Sequence, residues 1–409
     1  MLLRVDLLSR TWLYYQSIDY FDWRPNVQRP QVLRRVYIFL FRVANRVVGR
    51  NILEVIESLR LLNFRCFDEV SLSLAPEGGI FVGENAQGKT SLLEAVCLLL
   101  RLQSPRARQM RQLIREGSEG FGVAGELMGR SLQVRGDRKG LILRTEGAEV
   151  SSRRDYLSES GLVVWMGNGD LDLVRGGGEG RRRYLDFLAS QIDLEYRDHW
   201  NRYRKALVAR NKYLKSLPPG ESAVLAYTRL LIDHGREIIE RRQKLCGELT
   251  PRALENQGAI SGEREELEIV YQDRSKGDLE AAFAEAEESE MRRGITMAGP
   301  HRDDLKLTLG GRAARDFGSE GQQRTLALAL KLAQGEVLKV RGQREPVYLI
   351  DDVFGELDPL RRNALMEKLP KEAQKLITTT HLGWWEQDSA SLPVSEVSAG
   401  VVTPCGGSY

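Results

Sequence analysis

The sequence predicts an α/β protein whose sheet-forming domain is interrupted by a long helical insertion. Three observations carry that expectation. The octapeptide Gly83-Glu84-Asn85-Ala86-Gln87-Gly88-Lys89-Thr90 matches GxxxxGK[ST] and lies between an apolar strand-like run and an apolar helical run. A second apolar run, Val347-Tyr348-Leu349-Ile350, ends in Asp351-Asp352, the pattern of a buried strand that delivers polar groups at its C-terminal edge. Between about 184 and 290 the apolar spacing turns from strand-like to helix-like, and afterwards it turns back.

Taken in order, residues 1 to about 50 mix Trp, Tyr and Arg without clear periodicity and carry nine Arg against three Asp. They have neither the uninterrupted apolar stretch nor the small-residue cleavage site of a signal peptide. A basic amphipathic helix over Val32 to Val48, a poorly ordered tail and an upstream start codon all remain open, so 1–52 is set apart as an extra N-terminal tail. From residue 53 the alternation in Val55 to Leu61 and Val70 to Leu74 predicts half-buried strands. Gly79 to Val82 predicts the strand before the glycine loop, and Ser91 to Leu100 the buried helix after it. Short strands follow in 122–126, 131–134 and 141–144, completing a first head segment, 53–183. Leu, Tyr, Arg and Glu at helical spacing in 184–216 and 223–249, separated by Leu217-Pro218-Pro219-Gly220, predict a helical arm over 184–290. The second head segment, 291–400, holds a helix over 324–340 and strands at 347–350 and 375–379; 401–409 is a short tail.

Composition narrows the classes. Sixty basic residues face 57 acidic ones, a formal net charge of +3, so any anion-binding face must be local. The four cysteines are widely spaced with no CxxC pair, which suggests neither a zinc site nor a disulfide framework and fits a reduced cytoplasm. No apolar run approaches the ~20 residues that span a bilayer.

The glycine octapeptide is a phosphate-binding loop. Its backbone N–H groups curl around phosphates, Lys89 meets the β- and γ-phosphates, and the Thr90 hydroxyl ligates Mg²⁺ at a helix N-terminus. Asp351 would hold the Mg²⁺ of ATP, and Asp352 would polarise the attacking water. Ser319 and Gln322 fit a capping box opening the helix that follows Phe317-Gly318-Ser319-Glu320-Gly321-Gln322-Gln323, and such an end is an anion site. This run resembles the ABC ATPase signature, in which Ser319 and Gly321 would close on a γ-phosphate held by the opposite subunit. Gly355-Glu356-Leu357-Asp358 resembles the D-loop at the dimer seam, and Thr378-Thr379-Thr380-His381 the switch segment, with His381 toward the γ-phosphate. For nucleic acid, the clusters Arg101, Arg106, Arg108, Arg111 and Arg115, and Arg175 with Arg181, Arg182 and Arg183, are candidate phosphate contacts.

Over about 53 to 385 the chain resembles the RecF recombination-mediator ATPases. Leu62-Asn63-Phe64-Arg65, the loop containing Gln87, Ala298-Gly299-Pro300-His301-Arg302-Asp303-Asp304 and Asp351 to Asp358 look like family landmarks; so do Arg181 to Asp186 and Ala209-Arg210-Asn211. The resemblance implies an ABC-type P-loop ATPase head with an inserted helical arm and ATP-dependent dimerisation with slow hydrolysis. It also implies binding to DNA gaps and junctions, and help with RecO and RecR in loading RecA during gap repair and the SOS response. Trp165-Met166-Gly167-Asn168-Gly169-Asp170-Leu171 departs from the family's usual Phe-x-Pro-Glu-Asp-Leu at the Q-loop, and Gly355 replaces its usual serine. A transporter-type nucleotide-binding subunit, or another ABC-type ATPase not acting on gaps, is the alternative. Transporter subunits space the two motifs more closely and need a membrane partner. An SMC-type ATPase would carry a far longer coil, since about 50 residues per side at 1.5 Å each reach only ~75 Å.

Overall fold

The computed structural model describes residues 52–107, 109–216, 221–262, 266–383 and 392–405. The expected tail therefore lies outside the described residues, apart from Ile52. Hydrophobic alternation builds the first lobe: β1 (Ile52–Leu53), β2 (Ile56–Phe64), β3 (Phe67–Ser73) and β4 (Gly78–Val82) lead to α1 (Lys89–Arg101). β5 (Gly120–Leu127), β6 (Arg130–Asp137), β7 (Leu141–Thr145) and β8 (Ala148–Glu149) follow as a meander, then α2 (Arg153–Glu159) and β9 (Val163–Gly167). Four helices come next, α3 (Asp172–Arg175), α4 (Gly178–Ile192), α5 (Leu194–Leu214) and α6 (Glu221–Ser261).

The chain then returns through β10 (Leu267–Gln272), α7 (Leu279–Arg293), β11 (Asp304–Leu309), β12 (Arg312–Ala313), α8 (Ala314–Phe317) and α9 (Glu320–Gly342). It ends in β13 (Arg344–Glu345), β14 (Val347–Asp351), α10 (Pro359–Lys368), β15 (Lys375–Thr379), β16 (Val394–Ser398) and β17 (Val401–Pro404).

Two six-stranded sheets sandwich α1. One is antiparallel, in the order β3-β2-β5-β6-β7-β8. The other runs β17-β16-β4-β15-β14-β9, parallel except for β17. Period-two alternation divides the second sheet between two cores. Val163, Val347, Leu349 and Leu376 face α1 and the antiparallel sheet, whereas Val164, Met166, Tyr348, Ile350 and Ile377 face α4, α9 and the arm helices. Because α1 is wedged between sheets, even its polar Glu94 is fully buried.

The inserted arm differs from the sequence expectation. Its helices begin at Gly178, and α6 runs to Ser261 through Pro251, which reads as a helix breaker. β10 then leaves the helical pattern and pairs antiparallel with β11 from beyond the arm, so the segment 184–290 is not helical throughout. Residues 401–404 are not a tail: Ala399 and Gly400, at φ 49° and 77°, turn the chain so that β17 closes the sheet edge on β16. Among the described residues no helix is long and apolar enough to cross a membrane.

Candidate functional site

β4 and β14 are both neighbours of β15 in the parallel sheet, so the glycine loop and the Asp351-Asp352 pair emerge at the same edge. Local sterics explain the loop's glycines. A Cβ on Gly83 would lie 2.2 Å from the Val397 carbonyl oxygen, and one on Gly88, at φ 113°, would lie 2.8 Å from Cys66 Sγ and Phe67 Cζ. No L side chain fits either position. Lys89 begins α1 and donates from Nζ to the carbonyls of Gly83 and Glu84, each at 2.7 Å, which places its ammonium over the loop where phosphate oxygens would sit. Glu84, Asn85 and Ala86 complete the curl.

The Thr90 hydroxyl donates to Asp351 Oδ1 at 2.7 Å, and the Thr378 hydroxyl donates to the same oxygen at 2.8 Å. A hydroxyl and a carboxylate at the N-terminus of a helix are a hard-oxygen pair suited to Mg²⁺. Asp352 is held in the left-handed region at φ 54° by its N–H, which donates to the Thr378 carbonyl and hydroxyl oxygens. Its Oδ1 is buried and makes no hydrogen bond among the described residues. Burial raises its pKa above the ordinary carboxylate value, with Lys89 opposing the rise and Asp351 adding to it. A Cβ at Gly355 would stand 3.5 Å from that orphan oxygen, so glycine there leaves it open. His381 is exposed after β15, and a charge on its ring would favour the Asp352 carboxylate.

Ser319 caps α9 in the expected capping box. Its hydroxyl accepts from Gln322 N at 3.3 Å, and Gln322 Oε1 accepts from Ser319 N at 2.7 Å. Among the described residues this helix end is fastened to the segment Gly355 to Arg361. Asp358 caps α10 and accepts from Arg361 Nη1 at 2.6 Å; Arg361 also reaches Thr325 Oγ1 at 2.9 Å and packs against Gly321. Glu356 accepts from Arg324 at 2.7 Å and from Asn168 at 2.5 Å. Asn168 thus joins the segment 165–171 to the segment 355–358. Asp170 in that segment pairs with Lys331 at 2.8 Å.

The arginine candidates divide. Arg106 and Arg111 are exposed, and Arg108 lies outside the described residues. Arg101 is buried and donates to the Gly161 and Ser190 carbonyls, so it is not a nucleic-acid contact. Arg115 lies 3.4 Å from Asp68, and Arg175 donates to Gln323 at 2.6 Å. Arg181 also corrects the sequence reading: it is buried, chelates both carboxylate oxygens of Asp304 at 2.8 and 2.9 Å, and donates to the Leu173 and Gly176 carbonyls. Arg182 donates to the Asp303 carbonyl at 2.7 Å. Only Arg183 of the three is exposed, 3.8 Å from Glu179.

Sequence reasoning missed that the run 298–304 is the hub between arm and head. Buried Arg242 donates to the Pro300 carbonyl at 2.8 Å and to Asp186 at 2.5 Å. Tyr203 OH lies 2.6 Å from His301 Nδ1, and Asp303 accepts from Tyr271 OH at 2.6 Å. Arg210 pairs with buried Glu290 at 2.7 Å, and Asn211 accepts from Thr296. Burial pushes His301 down to about 4, so its ring stays neutral in this knot.

Residues 55–128 match the family model described as an AAA ATPase domain. The chain is 38% identical over 350 residues to the DNA replication and repair protein RecF of Synechococcus sp. (strain JA-3-3Ab), covering 80% of this chain and 91% of that one. It is 34% identical over 370 residues to RecF of Lactobacillus johnsonii, covering 85% and 98%. A solved structure described as the recombination mediator protein RecF-ATPrS in the RecFOR pathway superposes with a TM-score of 0.79 at 28% identity, covering 88% of this chain and all of that one. With these matches laid on the glycine loop, the paired aspartates and the capped α9, the chain belongs to the RecF family of DNA replication and repair proteins.

Proposed function

We propose that this protein is an ATP-driven DNA-binding switch of gap repair. In this reading it binds ATP-Mg²⁺ on the glycine loop, pairs head to tail with a second copy, and acts at gaps and junctions in the cytoplasm, with RecO and RecR as partners and RecA as the protein loaded. The observation that carries the reading is the Thr90 hydroxyl on Asp351 Oδ1 at 2.7 Å beside the unpartnered Oδ1 of Asp352. Mg²⁺, when bound, would screen phosphate charge. Lys89 supplies the fixed positive charge, and Asp352 orients a water and accepts its proton.

The capped end of α9 supports the dimer. It carries the partial positive charge of a helix N-terminus, yet its fastenings run to Asp358, Arg361 and Glu356 in the segment 355–361. A γ-phosphate on a second copy supplies an anion for it. Light scattering tests the proposal: the mass should double with ATP and not with ADP, and gapped duplex should be retained by the ATP form in preference to intact duplex. A monomer at saturating ATP, or equal retention of both DNAs, would overturn it.

A further inference from the structure

We propose that the hairpin formed by β16 and β17 is a positioning clamp for the phosphate loop, acting through Gln87. The inference rests on the nucleotide reading above and adds how the loop is kept in its binding shape. β16 pairs in parallel with β4, matching Val394, Ser395 and Glu396 to Ile80, Phe81 and Val82, the last residues before the loop. The hairpin tip then folds over the loop's outer side. Ala399 N–H donates to Gln87 Oε1 at 2.6 Å, and Gly400 N–H donates to the Gln87 carbonyl at 3.3 Å. One side chain and one peptide group of the loop are thus held from outside.

The consequence follows from peptide geometry. In a planar trans peptide the carbonyl and the following N–H point in opposite directions. Anchoring the Gln87 carbonyl outward onto Gly400 therefore aims the Gly88 N–H inward, toward the concave side that receives phosphate. Both partners are fitted closely. A Cβ on Gly83 would strike the Val397 carbonyl at 2.2 Å, and a Cβ on Gly400 would lie 3.1 Å from the Cys66 carbonyl oxygen. The left-handed turn at Ala399 and Gly400 presents two successive N–H groups to one residue. Gln87 is in this sense a positioning residue, spent on the hairpin rather than on the ligand.

The test compares the full chain with Gln87→Met, Gly400→Val, the double variant and Lys89→Ala, using fluorescent ATP and ADP titrations and steady-state turnover. Losing one neutral hydrogen bond to the loop should weaken both nucleotides about fivefold. KM should rise more than kcat falls, and the unfolding midpoint without nucleotide should stay close to that of the parent. Gly400→Val, strained at φ 77° and pressed on Cys66, should give a similar loss, and the double variant little more than either single. Multiplying effects, or unchanged affinity in Gln87→Met, would overturn the clamp. Should Gly400→Val not fold, amide exchange in the parent chain decides: by linkage, nucleotide must slow exchange at Ala399 and Gly400, and unchanged exchange rejects the proposal. Lys89→Ala separates the two readings. If it too binds like the parent, the nucleotide assignment of the loop fails; if it alone loses binding, only the clamp fails.

Discussion

Replacing Arg181 should destabilise the fold rather than remove a nucleic-acid contact. The guanidinium makes two bonds to Asp304, at 2.8 and 2.9 Å, with side-chain exposures of 11% and 20%, and two more to the carbonyls of Leu173 and Gly176. Arg181→Ala leaves a largely buried carboxylate without its partner, which costs about 3–5 kcal/mol. Burial alone would raise the pKa of Asp304, but the hydrogen bonds from Arg181 and Leu305 N–H hold it below the ordinary value. A depressed carboxyl contributes stability above its unfolded pKa and loses it as pH falls through the folded one. The penalty of the variant should therefore be full at neutral pH and shrink below about pH 4. Urea unfolding across that range measures it, with Arg183→Ala as the exposed comparison, expected within about 0.5 kcal/mol of the parent. A loss under about 1 kcal/mol for Arg181→Ala, together with a flatter salt dependence of DNA binding, would refute the assignment and return this residue to the nucleic-acid surface.

Other outcomes follow from the same geometry. Asp352→Asn should keep ATP affinity, because Asp351 and Thr90 remain, and lose turnover by at least about tenfold; turnover like the parent's would place the base elsewhere. Glu54 is buried, is bonded to Leu162 N–H and is pushed up to about 7 by its burial, against the pull of Arg344. Its folded pKa lies above its unfolded one, so its share of stability is complete below pH 4.5 and lost as pH rises through 7, a span of about 3 kcal/mol. Glu54→Gln should flatten that fall in a pH series of unfolding curves, and an unchanged slope would dismiss the group. Ser319→Arg should leave ATP binding to the single chain intact while blocking mass doubling in light scattering; doubling like the parent's would remove α9 from the shared site.

What could be read from the sequence was local. Gly83 and Gly88 declare the phosphate loop because the constraint that selects them, absence of room for a Cβ, acts on the loop itself. Val347 to Ile350 reads as a strand from four consecutive apolar residues, and the Ser319–Gln322 capping box closes within one helical turn. Where the deciding partner is distant, the reading failed. Arg181 to Arg183 looks like any basic cluster until Asp304, 123 residues along, is brought beside Arg181. The alternation in Leu267 to Tyr271 was absorbed into the arm because the strand that completes it, β11, lies beyond the arm. Pro251 hid the length of α6, and the function of Gln87 was invisible because the N–H groups it meets sit at residues 399 and 400.

The same contrast explains why the arm landmarks were recognised without being understood. Arg181 to Asp186, Arg210 with Asn211, and Ala298 to Asp304 are separate words in the sequence but one knot in space. Arg242 joins Asp186 to the Pro300 carbonyl, Arg182 holds the Asp303 carbonyl, and Arg210 and Asn211 hold Thr296. Such a knot has a mechanical consequence. Arg210 and Arg242 are charged and buried, so displacing either would leave Glu290 or Asp186 unsatisfied, and this couples the arm to the run 298–304. β11 runs through β12 and α8 directly into the Ser319 cap of α9. Only β12 and α8 separate the knot from the N-terminus of α9, so a displacement of the arm would reach the helix end that the proposed second copy contacts.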